Sequence, residues 1–309
     1  MRAVDLTVSS LRRKANCSHH PMSSSGPMTF NFFDVKFAAG VAYVALNRPS
    51  KRNAMTPAFF EEIGTVFRYV ASVALGQMEP TPAGVDPLGV RCVILHGVGP
   101  AFTAGLDLSA MVVMPSDDPA RTAIRATHTI RRMQDAFTAV SDCPVPVVAV
   151  VHGYCLGAGV DLIAACDIRV ASECAILNVK ESALGIPADL GTLQRLPRLV
   201  GNASVVREWT FTARDISAHE AHRVGLFSRL EKDQSAAMKA AEDIAKRIVS
   251  MSPTANLGAK AALNAVHREV DLRGLEQQAV SNGALLQSDD ITKAFGAAKK
   301  KQTPQFSKL

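Results

Sequence analysis

Residues 144–172, "PVPVVAVVHGYCLGAGVDLIAACDIRVAS", decide how the rest of the chain is read. The first third, "VPVVAVVHG", is a short apolar run rich in β-branched residues, which suits a strand buried on both faces. It breaks at Gly153, and glycines recur at Gly157 and Gly159 where a strand gives way to a helix. A turn of this kind leaves backbone N–H groups exposed at a helix start, where they can hold developing negative charge. The next segment, "VDLIAAC", carries Asp161 among apolar neighbours. An ionised carboxylate is costly to bury without a partner, so such a residue is a candidate for chemistry.

Working outward, the same strand, turn and helix order repeats. Upstream, "RCVILHG" is a short buried strand, and "AFTAGLDLSAM" after it supplies a second glycine turn. Two converging N–H groups from two such turns would form an oxyanion hole. "VAYVALNRP" alternates like a strand. Thr56 and Pro57 then give the cap and first residue of a helix to about Leu75, and Asp118 and Pro119 do the same for a helix to about Val140. Alternation of strands and helices predicts a mostly parallel α/β fold. After about Ser217 the strand signals fade, and "SAAMKAAEDIAKRIVSM" and "TANLGAKAALNAVHREV" read as helices. The expected organisation is an extension over 1–28, a core over 29–216, a C-terminal helical subdomain over 217–300 and a flexible tail over 301–309.

Downstream, "KESALGIPADLG" (180–191) adds Glu181 and Asp189 among small and apolar residues. Asp189 also fits the cap of a helix beginning near Leu190. His152 reads as a packed strand-end histidine, and Trp209 as core.

Composition narrows the classes. The 309 residues are 48% hydrophobic and 20% charged, as in an ordinary globular protein, and no apolar run is long enough to span a bilayer. A net charge of +6 suits a phosphate-bearing ligand as well as nucleic acid. Aromatics at 6% and dispersed basic residues argue against a base-stacking surface, so no nucleic-acid partner is expected. The six cysteines lack C-x-x-C spacing and fit a reducing compartment. "HEAH" at 219–222 sets its histidines three apart instead of the four a zinc helix needs, and no metal site is expected. Residues 1–28 are basic, Ser-rich and nearly free of acids, which reads as disorder or an organelle transit peptide. Ser307, Lys308 and Leu309 match the tripeptide read by the peroxisomal import receptor. The expected location is therefore a peroxisome or related organelle, with the mitochondrion second.

In combination, "LNRPSKRNAMT", "AFTAGLDL", the 144–172 segment and "LPRLVGNASVVREWTFTARDISAHEAHRVGLFSRL" resemble the crotonase, or enoyl-CoA hydratase/isomerase, superfamily from about Phe30 to about Ala298. That resemblance implies a spiral of ββα repeats, a C-terminal helical trimerisation subdomain with a homotrimer or dimer of trimers, acyl-CoA thioester substrates, and neither metal nor redox cofactor. It assigns the oxyanion hole to the N–H groups of Leu106 and Ala158, although relatives mostly have glycine at the latter, so the extra methyl must point away. It assigns Ala104, Gly105, Leu106, Asp107 and Leu108 to the turn along the pantetheine arm. It assigns Lys51 and Arg52 to the CoA phosphates or adenine.

Within the superfamily, hydratases carry glutamates at the positions of Asp161 and Glu181 and a glycine-rich segment at that of Asp189. The set Asp161, Glu181 and Asp189 is instead similar to the Δ3,5-Δ2,4-dienoyl-CoA isomerase pattern. That reaction, a step of fatty acid β-oxidation, removes a proton from C2 and adds one at C6, so it needs two acid/base groups. The expectation takes Asp189 as base, Glu181 as acid and Asp161 as an auxiliary acid. The alternatives are an enoyl-CoA hydratase, with two acids around a water, and an RNA-binding relative.

Overall fold

The computed structural model describes residues 28–78, 89–110, 118–300 and 302–307. Most of the N-terminal extension, and Lys308 and Leu309 of the tripeptide, lie outside them. In chain order the elements are β1 (Phe33–Ala38), β2 (Val41–Leu46), α1 (Pro57–Ala74), β3 (Cys92–Gly97), α2 (Pro119–Ser141), β4 (Val147–Val151), β5 (Tyr154–Leu156), α3 (Ala158–Ala164), β6 (Ile168–Ser172) and β7 (Ile176–Asn178). There follow α4 (Thr192–Leu199), α5 (Ala203–Thr212), β8 (Ile216–Ser217), α6 (Ala218–Arg223), β9 (Arg229–Glu231), α7 (Gln234–Val249), α8 (Pro253–Leu285) and α9 (Asp290–Lys299).

One sheet runs in the order β1-β2-β3-β4-β6-β9, parallel except for the β1–β2 hairpin. A smaller sheet has the order β5-β7-β8. Isolated bridges Met55 to Leu106 and Thr103 to Cys155 extend the second layer into the earlier turns. Each turn of the spiral thus lays one strand in the large sheet and one short segment in the second layer.

The apolar runs of β3 and β4 are explained by burial on both faces. Val93, Leu95, Val147, Ala149 and Val151 join the main core with α1 and α2, while Cys92, Ile94, Val148 and Val150 pack on Ala237, Ala241 and Ala245 of α7. Three alanines four residues apart let α7 approach the sheet closely.

The local start signals hold. Thr56 accepts the Phe59 N–H at 3.2 Å, and Asp118 accepts that of Arg121 at 3.0 Å. Past Ser217 the chain still contributes β9, whose three residues pair with β6; so short a strand shows no alternation to read. The helix after Asp189 begins at Thr192 with Gly191 at its cap position, so Asp189 does not cap it.

Residues 217–300 also pack intimately on the preceding chain. The 33-residue α8 lies along α2, joined by Arg131 with Glu276, Arg268 with Asp142, and Thr127 Oγ1 donating to the Ala279 carbonyl. Buried Lys260 reaches the start of β4 through Asp167, 2.6 Å, and the Val145 carbonyl, 3.1 Å.

Candidate active site

Two loops meet at the ends of β3 and β4, and Asn53 organises the first. Fully buried, it donates through Nδ2 to the carbonyls of Val98, Ala101 and Phe102 at 2.9–3.1 Å and accepts the Arg48 N–H at 2.8 Å. Its own carbonyl accepts Thr103 Oγ1 at 2.7 Å, and Thr103 Oγ1 in turn accepts the Gly105 N–H at 3.0 Å. Gly105 has φ +79°, and a Cβ there would collide with the Leu156 carbonyl and lie 3.7 Å from Ala158 N. Only glycine lets the turns abut in this way. Among the described residues, neither the Leu106 nor the Ala158 N–H has an intramolecular acceptor. Ala158 is the first residue of α3, where an amide has no partner within the helix, and its side chain joins the main core.

The acids converge on these turns. Gly157, at φ +50°, lies so close to Glu181 that a Cβ would sit 3.1 Å from Oε1. Glu181 is thus carried by a one-turn helix against the peptide immediately before Ala158. Its Oε2 is buried without a hydrogen bond, and burial, followed by the charges of Asp161 and Asp189, pushes its pKa well above the usual carboxylate range.

Asp161, on α3, is 1% exposed. Its Oδ1 accepts the Thr192 N–H at 2.6 Å, while Oδ2 has no partner. Burial raises it to about 6, with Thr192 and the Arg195 guanidinium pulling it back.

Asp189 receives Asn282 Nδ2 on Oδ2 at 2.7 Å, and Gln134 Nε2 donates to its carbonyl at 2.6 Å. Burial raises it to about 7, opposed by the Asn282 hydrogen bond and reinforced by Asp161. Three acids are therefore linked electrostatically but served unequally: Asp161 and Asp189 each receive a hydrogen bond from a residue distant in sequence, while Glu181 Oε2 is left without a partner.

Other residues expected at the site have different surroundings. Asp107 uses its carboxylate on Ser109 and Arg48, with Arg48 Nη1 at 2.7 Å, and these hydrogen bonds hold it below the usual carboxylate range. It braces the turn, so its side chain is not left for a substrate arm. Leu108 is exposed, and Ala104 donates its N–H to the Arg52 carbonyl at 2.8 Å. Lys51 and Arg52 are exposed, with the Arg52 guanidinium 5.7 Å from the Tyr154 ring centre. His152 is buried with Nε2 at 2.8 Å from the Gly99 carbonyl, and Trp209 is buried with Nε1 donating to Glu220.

Asn53, Arg195 and Asn282 lie outside the set expected from sequence. Asn53 carries one local signal, since asparagine tolerates the left-handed backbone, here φ +54°, of a turn. Asn282 lies in the last turn of α8 and carries none.

Over residues 36–308 the chain matches the family described as enoyl-CoA hydratase/isomerase. It is 41% identical over 279 residues to the Delta(3,5)-Delta(2,4)-dienoyl-CoA isomerase, mitochondrial, of Rattus norvegicus, covering 87% of this chain and 80% of that protein. It is 39% identical over 277 residues to the Arabidopsis thaliana protein of the same name, peroxisomal, covering 88% and 94%. The fold is similar to the crystal structure of an enoyl-CoA hydratase from Mycobacterium avium subsp. paratuberculosis K-10, with a TM-score of 0.74 at 24% identity, over 91% of this chain and 100% of that one.

Proposed function

The chain belongs to the enoyl-CoA hydratase/isomerase family, and from that premise we propose that it isomerises 3,5-dienoyl-CoA to 2,4-dienoyl-CoA. The reaction breaks a C–H bond at C2, spreads the electron pair over the diene and the thioester oxygen, and forms a C–H bond at C6. No redox partner is needed, because no electrons leave the substrate.

The observation that carries this reading is the contact of the Glu181 carboxylate with Gly157, directly beside the unpaired N–H groups of Leu106 and Ala158, with Asp189 held on a separate loop. Two N–H groups suit the oxyanion of the dienolate, and such donors are worth about 10² to 10³ in rate each. A thioester oxygen seated there brings C2 toward Glu181. This reverses the division expected from sequence: Glu181 takes the C2 proton, and Asp189 protonates C6. A carboxylate with raised proton affinity is also the stronger base toward a weak carbon acid. One proton is held between the two acids, and the reactive arrangement has it on Asp189.

The test is hydrogen exchange in deuterated water. Asp189→Asn should lose isomerisation by about 10² to 10⁴, the usual contribution of an acid/base group, yet still exchange the C2 hydrogen. Glu181→Gln should lose both. Near wild-type isomerisation in Asp189→Asn would overturn the reading, and rapid hydration of 2-enoyl-CoA by the unmodified protein would replace it with a hydratase.

The similar proteins named above include a mitochondrial and a peroxisomal one. We propose an organellar, β-oxidation setting for this chain. Organelle fractionation of the untagged protein, with and without Leu309, distinguishes the two compartments.

A further inference from the structure

α8 reaches the acids through Asn282, which is fully buried. Its Nδ2 donates to Asp189 Oδ2 at 2.7 Å and to the Pro187 carbonyl at 3.0 Å, while its Oδ1 accepts Gln278 Nε2 at 3.1 Å. Two acceptors on one side and a donor on the other settle which way the amide points; the flipped amide would set oxygen against oxygen twice. The backbone is equally constrained. At the next residue, Gly283, a Cβ would meet the Ala123 carbonyl at 2.8 Å, so α8 is pressed onto α2 at this level.

From this geometry we propose that Asn282 is the positioning residue for Asp189: by donating to Oδ2 it reserves Oδ1 as the oxygen that carries the transferable proton. In a protonated carboxyl the carbonyl oxygen is the stronger acceptor, so the Asn282 N–H on Oδ2 favours the proton on the other oxygen. Among the described residues, no side chain donates to Oδ1. The Pro187 and Gln134 contacts fix the loop around Asp189, so the carboxyl cannot rotate to exchange its two oxygens without breaking the Asn282 bond. This inference rests on the proposed role of Asp189 and adds to it the residue that chooses the reacting oxygen.

The charged groups facing Asp189 are Asp161 on α3 and Glu181, with Arg195 of α4 acting on Asp161. α9 brings Asp290 against Gly185, at the near end of the segment that leads to Asp189. α2 and α8 present the neutral amides of Gln134, Gln278 and Asn282.

The test compares Asn282→Leu, which keeps the shape and removes the donor, with the unmodified enzyme and with Asp189→Asn. Losing a hydrogen bond to an ionisable partner should lower kcat by about 10- to 100-fold with KM nearly unchanged. It should also move the alkaline limb of the pH–rate profile upward. The Asn282 bond favours the ionised acid, so its removal raises the proton affinity of Asp189, and an acid catalyst then stays protonated to higher pH. If Asp189→Asn collapses while Asn282→Leu keeps both kcat and the alkaline limb, this inference is overturned and the isomerase reading stands. If Asp189→Asn itself stays active, the reading beneath it fails. Should Asn282→Leu not fold by circular dichroism, Asn282→Asp keeps a polar group of the same shape. It must move the same limb upward through the added acid, and an unmoved limb in that variant overturns the inference.

Discussion

Asp161 Oδ1 accepts the Thr192 N–H at 2.6 Å, so an acid on α3 satisfies the first amide of α4, 31 residues later. The bond ties the helix that begins at Ala158 to the helix that follows the Asp189 loop. One carboxylate thereby braces both ends of the site while its charge raises the proton affinity of Glu181 and Asp189.

Asp161→Asn should keep the cap, because asparagine caps helices about as well as aspartate, and remove the charge. Glu181 then loses a like-charged neighbour and its pKa falls. As the base it must be ionised, so the acidic limb of the pH–rate profile should move to lower pH, with a smaller loss of turnover than in Glu181→Gln. Asp161→Ala should in addition lose about 1 kcal/mol with the cap, read by urea unfolding.

Ala158→Pro removes one N–H at a helix position that accepts proline. Turnover should fall by about 10² to 10³ with helix content unchanged by circular dichroism. Turnover equal to the unmodified enzyme would remove Ala158 from the oxyanion hole.

Stability should depend on pH in two opposed ways. Asp161 at about 6 and Asp189 at about 7 bind protons in the folded state that the unfolded chain, with carboxylates near 4, has already released. The folded state therefore loses ground as pH rises from about 4 to about 7. Glu220 behaves oppositely: hydrogen bonds from Arg214 hold it at about 2, so its contribution is present above its ordinary value and is lost as pH falls toward 2. The melting temperature should be higher at weakly acid pH than at about pH 8, and Glu181→Gln should narrow that difference, as scanning calorimetry would register.

Asn53→Ala leaves three carbonyls without their donor and puts alanine at φ +54°. A loss of about 2 to 3 kcal/mol in urea unfolding is expected from the unsatisfied buried groups. Turnover should fall with it, since Thr103 and Gly105 hang from the same residue.

Features that depend on near neighbours were legible in the residues alone. Thr56 and Asp118 each meet an amide three residues on, so their helix starts could be read directly. The apolar runs of β3 and β4 announced strands covered on both faces, and Gly105 and Gly157 marked turns that a side chain would disrupt. The three acids among apolar residues also stood out, and their resemblance to the dienoyl-CoA isomerase pattern implied paired proton transfer. What surrounds each acid is a matter of packing. The partner of Asp189 is 93 residues away on α8, and the amide satisfied by Asp161 is 31 residues away. Hydrogen bonds of that separation leave no periodicity or local motif, because they form only when packed helices bring their termini and faces together. The proximity of Glu181 to Gly157 is of the same kind, and on it rests the proposed assignment of Glu181 to the C2 end of the substrate.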